Sequence, residues 1–302
     1  MIWNVSRLSF AALAISLFVA TPGFADLFAL ISQTDQILRI NSASGAVTQT
    51  IQIPEYVPPT GGVTAGLAFD GQVLYLTRSL GTSSFLVRYD VVNDIWDPRP
   101  VFLPTMPDPA FPPQPVSGLG IMPDGFGGGN LVAVTTNPAG DPPSYMYQFQ
   151  TFGSWSDMVV PTADRVALAA DLNAQGADID SSNGELWISA NQLNAPLPNT
   201  RLLHTDYAGN VLATLTPNLN GPIVIRGLGF DNGSMFIAGR NAQQATNNVY
   251  EINRSTGEVI RSFTLPVTPP ISALTGGAIV PEPGCLMLLS IGIAGFAMRR
   301  RR

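Results

Sequence analysis

Between residues 26 and 280 the apolar positions fall in short runs, each closed by a turn residue or a proline. Five runs end alike: Ile51-Gln52-Ile53-Pro54, Val101-Phe102-Leu103-Pro104, Met158-Val159-Val160-Pro161, Thr214-Leu215-Thr216-Pro217 and Phe263-Thr264-Leu265-Pro266. Their prolines are 50, 57, 56 and 49 residues apart. Each proline stops a strand, because it cannot donate to the ladder. A second marker follows each of them: Ala65-Gly66-Leu67-Ala68-Phe69, Ser117-Gly118-Leu119-Gly120-Ile121, Gln175-Gly176-Ala177-Asp178-Ile179, Arg226-Gly227-Leu228-Gly229-Phe230, and a looser Ser272-Ala273-Leu274-Thr275-Gly276. Most copies run into a tight turn and another apolar run. Examples are Asp70-Gly71 before Val73, Asn183-Gly184 before Leu186 and Asn232-Gly233 before Met235, dipeptides that supply the positive φ angles of short hairpins. A third run with its own turn recurs at Ile37–Asn41 with Ser44-Gly45 and at Val249–Asn253 with Thr256-Gly257, and more weakly at Leu86–Asp90.

The pattern predicts about four strands per repeat in an all-β chain, and four-stranded units at this period indicate a β-propeller. Only Thr162 to Leu172 has room for a short helix. Residues 26–54 hold the last three strands of a unit, beginning at Leu27-Phe28-Ala29-Leu30-Ile31, and residues 271–280 hold only a first strand. Joined, the two ends complete one blade, bring the count to five and leave few free sheet edges. A six-bladed ring with one degenerate repeat and a β-sandwich are the alternatives.

The two ends of the chain read differently. Arg7 precedes the apolar run Leu8–Ala20, and Thr21-Pro22-Gly23-Phe24-Ala25 follows with small residues at Gly23 and Ala25. This predicts a helical secretory signal peptide over residues 1–25, cut after Ala25 by signal peptidase. At the other end Pro281, Glu282 and Pro283 precede an apolar run, and Arg299, Arg300, Arg301 and Arg302 close the sequence. A helix over Cys285–Met298 would have 14 residues and rise about 21 Å, short of a bilayer core of roughly 30 Å. It suits transient membrane insertion better than a permanent span, with the arginines held in the cytoplasm and the domain outside.

The segment from Pro281 to Arg302 resembles the PEP-CTERM sorting signal in order, spacing and terminal position. That resemblance implies recognition by an exosortase, an integral-membrane cysteine protease, and a setting in exopolysaccharide- or biofilm-forming bacteria. It covers only about residues 280–302 and implies a route, not an activity. The expected organisation is therefore a signal peptide at 1–25, a propeller at 26–280 and a sorting segment at 281–302, with the mature protein at the cell surface or released. The turn pattern Tyr250 to Val259 also resembles bacterial propellers of the YVTN and NHL type, a likeness of architecture.

Charge narrows the partners. Residues 26–280 contain ten arginines, no lysine and twenty acidic residues, a net charge of −10. Such a domain is a poor match for nucleic acid or anionic lipid. The only cysteine, Cys285, lies in the sorting segment, so the domain has no internal disulfide and relies on its core.

In a propeller the loops between second and third strands share a face with those between blades. Here the spans Glu55–Gly62, Thr105–Pro115, Arg78–Ser84, Asn137–Ser144, Asn191–Thr200 and Arg240–Asn248 read as long loops there, rich in groups suited to hydroxylated ligands, with ordinary solvated loops of a surface protein the favoured reading. Arg226 is expected at the tunnel mouth with Arg78 and Arg240 on neighbouring rims, where pairing with nearby acids is favoured over an arginine ring for carboxylates; Asn191 completes the candidate set. The catalytic groups are sparse. His204 is the sole histidine and sits in a strand, where a structural role is favoured. Asp178 and Asp180 share one side of a strand and are weak candidates for calcium or an acid/base pair, with a hydrogen-bonded role beside the turn preferred. No cofactor is indicated. Asp124–Asn130 is glycine-rich but lacks the Lys-Ser/Thr of a phosphate loop. The expected function is a non-catalytic surface module, for exopolysaccharide or for surface proteins, against the alternative of an enzyme on polysaccharide or lactone.

Overall fold

The computed structural model describes residues 25–55, 63–80, 83–103, 116–123, 129–136, 143–151, 159–161, 165–197 and 199–278. These form five antiparallel sheets arranged as a five-bladed propeller. Chain order gives β1 (Ala25–Ile31), β2 (Gln36–Asn41) and β3 (Val47–Gln52), then β4 (Val63–Phe69), β5 (Val73–Leu80) and β6 (Ser83–Asp90). The outer edge of that second blade is split into β7 (Ile95–Trp96) and β8 (Val101–Leu103). The third blade has β9 (Val116–Pro123), β10 (Gly129–Thr135), β11 (Tyr145–Thr151) and a split edge of β12 (Val159–Pro161) and β13 (Val166–Ala167). The fourth has β14 (Leu172–Asp180), β15 (Glu185–Gln192), β16 (Thr200–Thr205) and β17 (Val211–Leu215). The fifth has β18 (Ile223–Asp231), β19 (Ser234–Asn241), β20 (Thr246–Ile252) and β21 (Val259–Leu265), and β22 (Ala273–Ala278) ends the described chain.

Ring closure follows the repeat pattern. β22 pairs antiparallel with β1 in a register from Leu30↔Ala273 to Ala25↔Ala278, completing the first blade from both ends of the chain. The short helix expected at Thr162–Leu172 is a correction: within its described part, Val166–Ala167 pairs with β11 and Leu172 opens β14. β-branched Val166 and the demand for an outer edge on the third blade outweigh the local helix propensity of the alanines. The two expected terminal helices lie outside the described residues. Among the described residues no helix is long and apolar enough to cross a membrane.

The core lies between blades, so most middle strands are apolar on both faces. In β6, Leu86 faces Leu119, Leu131 and Tyr147 of the third blade, while Val87 and Tyr89 face Phe28, Leu30 and Ile37 of the first. Phe28 and Phe69 meet across that interface with ring centroids 4.8 Å apart. Inner strands approach so closely that their marker glycines have a steric cause. A Cβ on Gly118 would lie 2.4 Å from the Ala177 backbone N, and one on Gly227 would lie 2.3 Å from the Leu274 N. The hairpin Asn232-Gly233 adopts positive φ at both residues, 47° and 78°, the signature of a type I′ turn. The turn into β3 is capped by Asn41, whose Oδ1 accepts the Ser44 N–H at 2.9 Å, and the turn into β21 by Asn253, which accepts the Ser255 N–H at 2.9 Å.

Candidate functional site

The residue just before each marker glycine, or before Ala273 in the first blade, faces the same space. Ala65, Ser117, Gln175, Arg226 and Ser272, one from each blade, line a cavity of about 280 Å³ at the mouth of the central tunnel. In four blades the cause is a break in register on the inner strand. The ladder slips between Thr64 and Leu67, between Val116 and Gly118, between Ala174 and Gly176, and between Ile225 and Gly227. A bulge of this kind re-aims a side chain that would otherwise join the pleat. Ser272 reaches the same place from the entry to β22, its N–H donating to the Leu30 carbonyl at 2.8 Å.

The lining is polar and mutually bonded. The Ser32 and Ser272 hydroxyls are 2.6 Å apart. The Ser117 hydroxyl donates to the Ala174 carbonyl at 3.1 Å, tying the third blade to the fourth. Arg226 Nη1 donates to Gln175 Oε1 at 3.2 Å, Gln175 Nε2 to Thr136 Oγ1 at 3.3 Å, and Thr136 Oγ1 to Asn173 Oδ1 at 2.7 Å. The rest of the described lining is Pro270 and Ile271. Arg226 is open to solvent yet walled by protein on several sides. Desolvation first, and the neighbouring Arg240 charge second, pull its guanidinium below its ordinary value, although arginine stays protonated throughout.

The four residues expected to bind take different positions. Arg226 is in the mouth. Arg240 lies close enough to act on it and donates from Nη1 to the Thr268 carbonyl at 3.1 Å. Asn191 is buried, and its Nδ2 donates to the Ile225 carbonyl at 3.2 Å, so it holds the bulge from the fourth blade and does not reach the cavity surface. Arg78 is a correction. It is 2% exposed, not on a rim, and faces Asp35 at 3.8 Å where the first two blades meet. The arginine ring is therefore a ring of one arginine among alanine, serines and glutamine. Ser117, Gln175, Ser272 and Thr136 were absent from the candidate set. The signal for the first three was present in the repeat, at the position just before the small residue.

The expected long loops change as well. Within Arg78–Ser84, β5 runs to Leu80, which pairs with Ser83 at the start of β6, and Arg240–Asn248 spans the hairpin of β19 and β20. Thr105–Pro115 and most of Glu55–Gly62 and Asn137–Ser144 lie outside the described residues, as do 124–128 of the glycine-rich turn.

Asp178 and Asp180 serve the scaffold. Asp178 is buried on β14; its Oδ1 accepts the Ile179 N–H at 2.9 Å, and its Oδ2 accepts the Phe230 N–H at 3.0 Å and the Thr275 hydroxyl at 3.3 Å. One carboxylate thus joins the inner strands of three blades. Burial pushes it well above the usual carboxylate range against those three hydrogen bonds, and the Asp180 charge adds to the rise. Asp180 accepts the Ser182 N–H at 2.9 Å and pairs with Arg254, which also contacts Glu185 at 3.1 Å. Burial works to raise the Asp180 carboxyl, but Ser182 and the Arg254 guanidinium outweigh it and hold it below the usual range. Among the described residues no group of three or more metal-ligating side chains forms. His204 stacks on Trp187 with centroids 5.0 Å apart and planes 9° from parallel.

Residues 280–302 match the PEP-CTERM protein-sorting motif. The motif implies an exported protein that an exosortase sorts and processes. No curated protein matches the chain. Among solved structures, a protein of unknown function from Bacteroides caccae is similar at 11% identity and TM-score 0.46, over 83% of this chain and 98% of that one. A chain of a nidogen/laminin complex is similar at 13% and 0.47, over 85% and 99%. The Dos1 propeller is similar at 12% and 0.42, over 85% and 65%.

Proposed function

We propose that this protein is a non-catalytic binding module of the cell envelope or extracellular matrix, delivered by its sorting motif, with the tunnel mouth as the binding site for hydroxyl-rich polysaccharide. The observation that carries this reading is the ring of side chains at the mouth, four of the five presented by breaks in strand register. Five separate sheets aim one residue each at a single cavity, and four of the five are polar. Hydroxyls, an amide and a guanidinium suit the orientation of sugar hydroxyls. The described lining contains no carboxylate, histidine or cysteine to serve as acid, base or nucleophile.

The positions of the two ends of the described ring support the same reading. Ala25 pairs with Ala278, so the first and last described residues of the ring lie side by side. Ser32 and Ser272, at the opposite ends of those strands, line the mouth. β1 has seven residues, which places the mouth roughly 23 Å from that edge. A chain still tethered through its sorting segment would present the mouth away from the membrane. Removal of that segment falls beyond β22 and leaves the ring closed.

The test uses the protein recovered from producing cells. Mass spectrometry should find Arg299–Arg302 removed, and the protein should bind the matrix polysaccharide of its own cells or members of a glycan array. Retention of the four arginines overturns the processing step. Absence of glycan binding together with co-purification of one envelope protein replaces the polysaccharide reading with protein docking.

A further inference from the structure

Six of the ten arginines in residues 26–280 lie against carboxylates among the described residues: Arg39, Arg78, Arg88, Arg99, Arg254 and Arg261. With twenty acidic side chains in the same span, a guanidinium left to neutral acceptors is the exception. Arg226 and Arg240 are such exceptions and are neighbours. Among the described residues Arg226 bonds Gln175 Oε1 at 3.2 Å, and Arg240 bonds the Thr268 carbonyl at 3.1 Å. Their mutual repulsion is felt at Arg226. Two like charges held near each other, one of them in a cavity whose described lining has no acid, are an unfavourable arrangement that an anion would relieve.

We infer that the mouth takes the carboxylate of an acidic sugar residue, with Arg226 as the group that contacts it; this rests on the proposed binding role and names the ligand class. Gln175 engages one of the five N–H donors of the Arg226 fork, leaving an edge for two-point contact with a planar carboxylate. Gln175 is itself held by Thr136, and Asn191 holds the Ile225 carbonyl just before the bulge, so the fork is positioned before a ligand arrives. Ser32, Ser272 and Thr136 supply hydroxyl partners for the ring of the sugar. The cavity of about 280 Å³ equals the liquid volume of about nine waters at roughly 30 Å³ each, enough for one sugar-sized group. A domain of net charge −10 repels a dianion more strongly than a monoanion, which favours a carboxylate over a phosphate.

The experiment titrates glucuronate, glucose and inorganic phosphate by calorimetry against the processed protein and against Arg226→Gln, Arg226→Lys and Arg240→Gln. Glucuronate should bind, and glucose and phosphate should bind at least about tenfold more weakly. Arg226→Gln should lose roughly ten- to a hundredfold in glucuronate affinity. Arg226→Lys should keep part of it, because an ammonium is a point charge without the fork. Arg240→Gln should weaken binding by a smaller factor and flatten its salt dependence. Melting temperatures check the fold; should Arg226→Gln melt early, the lysine variant decides. Equal affinity for glucose and glucuronate, tighter binding of phosphate, or an unchanged affinity in Arg226→Gln overturns the inference. Binding of a neutral glycan without glucuronate sinks the carboxylate and leaves the binding module standing. No binding to any sugar sinks both.

Discussion

Replacing Asp178 with alanine removes a carboxylate that serves three blades at once. Two of its three donors are backbone N–H groups, those of Ile179 and Phe230, and the third is the Thr275 hydroxyl. The side chain is 2% exposed, so water does not readily replace it. A buried donor left without a partner costs roughly 1–3 kcal/mol. Removing a buried carboxyl whose charged form burial and the Asp180 charge disfavour offsets part of that. The expected net loss is about 3 kcal/mol, or roughly 9 °C in melting temperature at about 3 °C per kcal/mol for a domain of this size. Asp178→Asn keeps the shape but turns an N–H toward one of the two backbone donors, and should fall between the two. The pH dependence has a definite sign. A carboxyl held above its unfolded value binds its proton more tightly in the folded state. Stability therefore falls as pH rises from the unfolded value, near 4, through the folded one, by about 1.4 kcal/mol per pH unit crossed. Wild type should gain on Asp178→Asn as the pH is lowered from 7 toward 4. Thermal unfolding followed by circular dichroism at several pH values measures both effects. A melting temperature of Asp178→Ala within 1 °C of wild type, or a wild-type advantage that shrinks on acidification, would refute this account of the carboxylate.

Asp97→Ala withdraws the carboxylate that meets the buried Arg88 guanidinium at 2.6 Å and should cost roughly 3 kcal/mol, read as a lower urea midpoint with an unchanged slope. Gly118→Ala and Gly227→Ala place a Cβ within 2.4 Å and 2.3 Å of neighbouring backbone. Each should cost more than about 3 kcal/mol or prevent recovery of soluble protein; a wild-type melting curve from either variant would contradict the close inner packing. Arg254→Ala should destabilise at neutral pH by unpairing Asp180. Because the folded Asp180 carboxyl is held low, the support it gives is present above the unfolded value and lost as pH falls through the folded one, so the difference from wild type should close in acid.

Much of the fold was legible because a propeller writes its period into turns. Asn232-Gly233 and the capped turns at Asn41 and Asn253 are local chemistry, readable without knowledge of neighbours. The first-blade closure was legible from a count of missing strands. The arginines show where sequence stops. Arg78 and Arg226 occupy similar-looking polar spots beside apolar runs, yet one is sealed against Asp35 and the other opens into the mouth. What separates them is a one-residue slip in the ladder between Ile225 and Gly227, set by the adjoining inner strand, and alternation alone places both residues equally well. Arg226 precedes a marker glycine, and the equivalent position in other repeats holds Ser117, Gln175 and, before Ala273, Ser272. Thr136 carries no such signal: it follows β10, and it lines the mouth while bonding Gln175 and Asn173 of the fourth blade. The misread loops at Arg78–Ser84 and Arg240–Asn248 share one cause, since polar residues on a strand near a hairpin look like loop until the cross-strand partner is known.

One short segment links closure, core and mouth. β22 supplies Thr275 to the buried Asp178, and the residues leading into it, Pro270, Ile271 and Ser272, line the mouth. Its partner β1 lies at the other end of the described chain, so the pairing closes a loop of nearly the whole domain. For a flexible chain the length-dependent part of that closure costs roughly 5 kcal/mol. Four preformed blades would lower the figure, because they already carry the ends toward each other. The contacts that offset it are those of the completed first blade, with Ala273 packed among Phe28, Phe69 and Leu74, and Leu274 among Leu27, Ala29 and Phe236. Until β22 docks, the mouth lacks one of its five sides and Asp178 lacks one of its three donors. Assembly of the mouth and ring closure are therefore the same structural event, completed by β22, the last described strand before the sorting motif.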